Sequence, residues 1–297
     1  MILVTGASGF VGRNLIPRLI KKKYEICCIL RNSNNKEFIN YLKRHNIKIV
    51  FSSLSDYDSL DKALKTIKIS NIIHLAGLIK SNKYKDFFDV NVKSTENLVK
   101  ICKKKKVSSF IFISTDLAAK KKLTIYGKSK HEAEQLIKKS GINYVILRPT
   151  VIYGKGDSKF VMDLVKIIKK SGIIPVIGTG EHIFQPVLVD DVVNIIIKCL
   201  DLKNKKTYNV CCDESLTLNQ VIDIIADALN KKIVKFYVPI VILKPIVKLY
   251  EQIFPNPSLT TQQLRYFPLR EKLDNSRVRK DLNFKFTSFR EGIKRSI

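Results

Sequence analysis

The stretch Ile2-Leu3-Val4-Thr5-Gly6-Ala7-Ser8-Gly9-Phe10-Val11-Gly12-Arg13-Asn14-Leu15 decides how the rest of the chain is read. An apolar run of strand type passes straight into three glycines spaced GxxGxxG, and these open a helical pattern over Phe10–Lys22. At such a junction the glycines permit a tight turn and let a pyrophosphate approach the N–H groups at the helix start, while the third allows close helix–strand packing. Three glycines alone are weak evidence. Their place after the first strand and before an amphipathic helix is what makes them a dinucleotide-binding loop. Gly6, Ser8, Gly9, Phe10, Val11 and Gly12 are the candidate contacts.

Outward from this loop, strand-type runs at Glu25–Leu30, Lys48–Phe51, Asn71–Leu75, Ser109–Ser114 and Asn143–Leu147 alternate with helical patterns at Lys36–His45, Tyr57–Thr66, Tyr84–Lys105 and Tyr126–Ser140. Alternation of this kind demands crossover connections, so it predicts an α/β fold: a Rossmann-type doubly wound parallel sheet with helices on both faces. After Arg148-Pro149 the rhythm changes, with Gly-bearing loops at 153–157 and 177–180 and helical patterns at Lys159–Lys170, Asp190–Leu200, Thr217–Leu229 and Pro239–Ile253. The expected organisation is a dinucleotide-binding domain over 1–152 and a smaller, interleaved substrate lobe over 153–297. Residues 183–212 are expected to return to the main sheet, with Thr207–Cys212 as a strand. Ligands of such sheets bind at the carboxyl ends of the strands.

The chain has 297 residues, 45% of them hydrophobic, which is enough to bury a core without disulfides or a structural metal. Its 54 Lys+Arg against 26 Asp+Glu give a net charge of +28. So basic a balance attracts anions. The lysines lie in scattered short runs (Lys21 to Lys23, Lys103 to Lys106, Lys120 to Lys122), as on a solvated surface, and no nucleic-acid-binding signature accompanies them. The six cysteines form no metal-ligand spacing, so no metal site is expected. Cys27-Cys28 and Cys211-Cys212 read as small buried hydrophobes, which points to a reducing cytoplasm. The start at Ile2–Val4 has no signal-peptide pattern, and the longest apolar stretch, Phe236 to Ile246, is too short to span a bilayer.

The end of the second strand bears on the ribose. An acid there accepts from a free 2′-hydroxyl, whereas a cation accommodates a 2′-phosphate. Here the run is Leu30-Arg31-Asn32-Ser33, so NADP(H) is favoured with Arg31 on the phosphate, and NAD(H) stays open. Leu75, Ala76 and Gly77 end the fourth strand and are expected beneath the dinucleotide; His74 before them reads as a packed group without chemistry.

Ser114-Thr115-Asp116 ends the fifth strand, and Tyr126-Gly127-Lys128-Ser129-Lys130 follows at the next helix start. Tyr126 and Lys130 are four apart and share a helix face. A phenol with a reference pKa of about 10 needs help to act near neutrality, and an adjacent ammonium favours the phenolate. A hydroxyl at the strand end is placed to hold a substrate oxygen.

Together with the opening loop, these segments resemble the NAD-dependent epimerase/dehydratase group of the extended or atypical short-chain dehydrogenases/reductases. The matching motifs cover nearly the whole chain: His74-Leu75-Ala76-Gly77, Asn91-Val92-Lys93, Tyr126 to Lys130, Leu147-Arg148-Pro149, and Gln185-Pro186-Val187-Leu188-Val189-Asp190-Asp191. The resemblance implies Tyr126 as acid/base, Lys130 as ribose ligand and phenol tuner, and Thr115, less so Ser114, as substrate hydroxyl ligand. It implies Asn91 as a helper of the central helix and Pro149 at the loop beside the nicotinamide. The implied substrate is a nucleotide-linked sugar or a similar anionic alcohol, and the implied assembly is a homodimer through the helices at Tyr84–Lys105 and Tyr126–Ser140.

There are departures. Leu117 follows Asp116 where 4,6-dehydratases carry a Glu, only ten residues separate Thr115 from Tyr126, and Ser52-Ser53-Leu54 stands where a Gly-Asp pair is expected. The segment Pro257 to Leu264, followed by Asp274-Asn275-Ser276, resembles the subgroup of the NADPH-binding accessory subunit of respiratory complex I. That likeness supports an alternative, a non-catalytic NADP(H)-binding assembly or sensor protein. A peripheral contact with an anionic membrane through the Lys-bearing stretch Val238–Phe254 is a third reading.

Overall fold

The computed structural model describes residues 1–31, 35–81, 83–157, 160–202, 204–253, 261–264 and 271–297. Strand and helix alternate through β1 (Ile2–Thr5), α1 (Phe10–Lys21), β2 (Ile26–Leu30), α2 (Lys36–Arg44), β3 (Lys48–Phe51), α3 (Tyr57–Leu64) and β4 (Asn71–His74). There follow α4 (Tyr84–Phe87), a π-helical turn (Phe88–Lys93), α5 (Ser94–Lys104), β5 (Ser109–Ile113), a 3-10 turn (Asp116–Ala119), α6 (Ile125–Lys139) and β6 (Tyr144–Pro149). Next come β7 (Ile152–Tyr153), α7 (Phe160–Lys170), β8 (Ile173–Ile177), β9 (Ile183–Phe184), β10 (Val187–Leu188), α8 (Val189–Lys198) and β11 (Lys206–Val210). The chain ends with β12 (Leu216–Thr217), α9 (Leu218–Ala228), β13 (Val234–Val238), α10 (Ile240–Ile253), α11 (Thr261–Leu264), α12 (Ser276–Leu282) and α13 (Phe289–Ser296).

Two compact units result, one of Met1–Arg148 with Val193–Tyr208, the other of Pro149–Val192 with Asn209–Ile297. The main sheet has the order β11-β6-β5-β4-β1-β2-β3. β1 runs parallel to β2 and β4, and the pairs β2/β3, β4/β5 and β5/β6 are parallel as well. Strand order reverses between β1 and β4, the switch point at which such sheets open a ligand crevice.

The central strands are apolar on both faces, as helix-covered parallel strands must be. Cys27 and Cys28 lie on opposite faces of β2, and both are fully buried. Burial pushes their thiols up to about 11 and about 12. Leu3, Ile72 and Phe110 of the sheet pack with Leu98 and Ile101 of α5 and Ile137 of α6. Full burial of each such side chain contributes roughly 1.5–3 kcal/mol relative to exposure.

The helix expected over Tyr84–Lys105 is interrupted by the π-helical turn. Ser94 Oγ donates to the Asp89 carbonyl at 3.3 Å and Thr95 Oγ1 to the Asn91 carbonyl at 2.6 Å. Hydroxyls bonding back along a helix compete with its backbone ladder, and a π-turn accommodates them. Asn91 sits within this turn.

In the second unit β8 pairs parallel with β13, from Ile173 opposite Val234 to Ile177 opposite Val238. The pairs β7/β10 and β9/β12 are two-residue ladders. Tyr153, Val165, Val176, Ile222 and Phe289 form this unit's core. Sequence reading misses β8 and β13 because the outward positions of β8, Ile173 and Pro175, are themselves apolar and exposed, which hides the period of two. Among the described residues, no helix is long and apolar enough to cross a membrane.

Candidate active site

The glycine loop joins β1 to α1 at the switch point. Gly6 has φ +70°, and a Cβ there would lie 2.6 Å from the Ala76 nitrogen and 2.7 Å from the Leu75 carbonyl carbon, so the loop presses directly on the end of β4. At Gly12 a Cβ would strike the Gly6 and Ala7 carbonyls. Gly9 differs: among the described residues a Cβ there would meet only the Gly6 oxygen, at 3.2 Å, within 4 Å. A side chain at Gly9 would fill open space in front of the α1 N-terminus.

Among the described residues no side chain caps that N-terminus, and its first turn carries no acid. Its unsatisfied N–H groups therefore suit an anion, and the residues present fit the pyrophosphate of a dinucleotide. Arg13 was not singled out by sequence reading; its Nε donates to the Ser8 carbonyl at 2.9 Å and its guanidinium lies 5.0 Å from the centre of the Phe38 ring. Arg31 is exposed just past the end of β2, and Asn32 and Ser33 lie outside the described residues.

Beneath the loop runs a chain of buried hydrogen bonds. Thr95 gives its proton to the Asn91 carbonyl, so it accepts from His74 Nε2–H at 3.0 Å. His74 Nδ1 then accepts from the Thr5 hydroxyl at 2.7 Å, and Thr5 Oγ1 accepts from the Ala76 N–H at 3.3 Å. Burial, with the Lys130 charge added, pushes His74 down to about 3, so the ring is neutral and its tautomer is set by these partners. Asn91 braces the next loop: its Nδ2 donates to the Leu78 carbonyl and to Ser129 Oγ, each at 3.0 Å, and its Oδ1 accepts from Leu78 N–H at 2.7 Å. Ser129 Oγ in turn donates to the Tyr126 carbonyl at 2.8 Å. The Asn91 amide protons are thus spent on the protein, between β4 and α6.

Helix α6 starts at a Thr124 cap that accepts from Gly127 N–H at 2.9 Å. The Thr115 hydroxyl donates to Asp116 Oδ1 at 3.3 Å and accepts from Leu117 N–H at 3.4 Å; it lies beside Tyr126, whose ring centre is 6.0 Å from that of Phe87. Burial and the facing Asp116 carboxyl raise the Tyr126 phenol, and the Thr115 hydroxyl opposes them. In the free protein Tyr126 is therefore a neutral proton donor. Burial also raises Asp116. In the sequence Asp116 stands only at the start of a dehydratase-like motif that Leu117 breaks off.

Lys130 is 3% exposed. Its Nζ lies 4.0 Å from the centre of the Phe112 ring and 3.8 Å from where a Cβ on Gly77 would stand. Burial pushes it down to about 7, against the pull of Glu134.

Ser114 faces away from this group. Its Oγ donates to Glu134 Oε1 at 2.6 Å, and Glu134 also receives the Arg148 guanidinium, 2.9 Å from Nε to Oε1 and 2.5 Å from Nη2 to Oε2. Consecutive residues at a strand end point to opposite sides. Thr115 therefore joins Tyr126 while Ser114 joins a buried ion pair, which also occupies Arg148. Pro149 closes β6.

A buried ammonium is costly, and the cost has a pH signature. The Lys130 value of about 7 lies below the ordinary 10.5, so between these pH values the unfolded chain binds more protons and stability rises with pH. Lys130→Met is accordingly expected to raise Tm, most below about pH 7 and progressively less toward 10.5. Melting curves across that window check this, and a difference independent of pH would contradict it.

In the second unit the Gln185 to Asp191 motif acts as a clasp. Gln185 Nε2 donates to the Cys212 carbonyl at 3.1 Å, and its Oε1 accepts from Leu273 N–H at 2.7 Å. Asp191 accepts from the Thr287 N–H and hydroxyl at 2.8 and 2.9 Å. Beside this clasp, Lys272, Asp274 and Arg279 help to line a cavity of about 330 Å³.

A seven-stranded sheet with this order and a glycine loop at its switch point defines an α/β protein of Rossmann type. The chain belongs to the NAD dependent epimerase/dehydratase family, whose pattern matches residues 2–211. It is 25% identical over 277 residues to a UDP-glucose 4-epimerase of Vibrio cholerae, covering 84% of this chain and 82% of that one. It is 25% identical over 270 residues to NADH dehydrogenase (ubiquinone) 1 alpha subcomplex subunit 9, mitochondrial, of Dictyostelium discoideum, covering 89% and 74%. The crystal structure of a Thermotoga maritima UDP-glucose 4-epimerase with UDP-glucose shares the fold, with a TM-score of 0.80 at 21% identity over 99% of this chain and 96% of that one.

Proposed function

We propose that this protein is an NAD(P)-dependent epimerase or reductase acting on a nucleotide-linked sugar or a similar anionic alcohol or ketone. The observation that carries the reading is Lys130, an ammonium buried at the carboxyl end of β4 beside Gly77, where burial without a role would only destabilise. Gly6, Gly9, Gly12 and the α1 N-terminus would hold the pyrophosphate, and Lys130 the nicotinamide ribose. Arg31 and Arg13 are the cations for a 2′-phosphate, which supports a preference for NADP(H). The bound nicotinamide would supply hydride acceptance and return.

The chain's own residues handle the proton and the orientation. The Thr115 hydroxyl orients the substrate oxygen, and Tyr126 gives a proton to a carbonyl oxygen or takes one from a hydroxyl. Lys130, when protonated, favours the phenolate in the second case. The raised phenol of the free protein suits the first.

The second reading is a dinucleotide-holding assembly or sensor protein, favoured by the complex I relative that matches 89% of this chain. One experiment separates the two. The purified protein is titrated with NADPH and NADH and then assayed with UDP-glucose, UDP-glucuronic acid and their 4-epimers at saturating NADP+ and at saturating NAD+, the oxidised forms that can accept the sugar's hydride. The expected results are a lower Kd for NADPH than for NADH and interconversion of a sugar pair. Tight NADH binding would remove the role given to Arg31, and dinucleotide binding without turnover of any nucleotide sugar would favour the second reading.

A further inference from the structure

Helix α10 buries one face and leaves a second apolar face open. Leu243, Val247 and Tyr250 turn inward, while Ile242, Ile246, Leu249 and Ile253 recur at intervals of three and four and are all more than half exposed. Val241, at the start of the helix, is 83% exposed. Lys244 and Lys248, one turn apart, flank this open stripe. The strand that precedes the helix repeats the pattern: Val234 and Phe236 lie outward at 67% and 63% exposure, paired in register with the outward Ile173 and Pro175 of β8. A helix apolar nearly all round is ordinarily buried on all sides, and apolar patches of this kind mark interaction surfaces.

Charge selects the partner. From Lys231 to Ile253 the chain carries Lys231, Lys232, Lys235, Lys244 and Lys248 against the single acid Glu251. Lys235 pairs with Asp223 at 2.7 Å, which leaves Lys231, Lys232, Lys244 and Lys248 to set the sign of this surface. Glu251 is turned inward, where it accepts from the Thr261 N–H and hydroxyl at 3.0 and 2.9 Å. A second copy of this chain would bring the same lysines against these and would add to a formal charge of +28 on each molecule. An anionic bilayer reverses the sign: the aliphatic stripe and Phe236 enter the headgroup–acyl boundary while the lysine stems snorkel to the phosphates. We propose that the outer faces of α10 and the β8/β13 pair dock this protein peripherally on an anionic membrane surface, with no segment crossing it.

The test is cosedimentation of the full chain with vesicles of phosphatidylcholine alone and with vesicles of equal parts phosphatidylcholine and phosphatidylglycerol. Binding is expected only to the second and should fall steeply with added salt. Lys244→Gln with Lys248→Gln should lower the partition coefficient about 25-fold, at the usual gain of about fivefold per surface lysine. Ile246→Ser with Leu249→Ser should abolish binding. These side chains are solvent-exposed, so circular dichroism and Tm should match the parent and exclude misfolding. The proposal is overturned by absence of binding at low salt. Undiminished binding of both variants, which would assign the effect to whole-chain charge, overturns it too. So does a dimer in light scattering that the Ile246/Leu249 variant dissolves without any vesicle binding by the parent.

Discussion

Replacing Tyr126 by Phe is expected to lower kcat by roughly 10² to 10⁴, the usual contribution of a positioned acid/base, while leaving dinucleotide affinity nearly unchanged. The phenol hydroxyl is the group lost. It lies beside Thr115, faces Asp116 and is held neutral by burial and by that carboxyl. The ring itself, which packs against Phe87, is retained in the variant, so the site should keep its shape. Turnover is compared at equal cofactor saturation on whichever sugar pair the wild type interconverts. Thr115→Ala should also lower kcat, by less, because Tyr126 keeps its proton. Ser114 does not substitute for Thr115, since its hydroxyl is committed to Glu134. An unchanged kcat in the Phe variant would refute the acid/base role.

Gly9→Val is expected to weaken dinucleotide binding by roughly 100-fold or more while Tm stays close to the wild-type value, since the branched side chain would occupy the space that a pyrophosphate needs. The neighbouring glycines give the contrast. At Gly6 and Gly12 an added Cβ collides with the loop's own backbone or with β4, so substitutions there should damage the fold first. At Gly9 one carbonyl oxygen at 3.2 Å is the sole neighbour of an added Cβ among the described residues. Fluorescence titration with NADPH and NADH, alongside a thermal melt, separates the two kinds of loss. Full affinity in a folded Gly9→Val protein would displace the cofactor from this loop.

Sequence reading reached the features that depend on near neighbours. The glycine loop spans seven residues and Tyr126 to Lys130 only five, and both lie on elements whose period is written in the chain. The alternation of strands and helices carried the sheet for the same reason. The partners of Asn91 did not surface, because Ser129 lies 38 residues away and the contact forms only when α6 packs on the π-helical turn. The buried pairing of Glu134 with Arg148 likewise depends on α6 crossing the end of β6.

What the sequence by itself determined is therefore the order of elements, the glycine turn between β1 and α1 and the shared helix face of Tyr126 and Lys130, since each follows from steric and periodic rules acting over a few residues. Tertiary structure alone decided that Thr115 rather than Ser114 meets Tyr126, and that Arg148 is held by Glu134. It also decided that Lys130 is desolvated and that the stripe on α10 faces solvent while Leu243 and Val247 face inward. Burial and long-range pairing are properties of packed neighbours distant in the chain, and they set which chemically equivalent side chain is free to act.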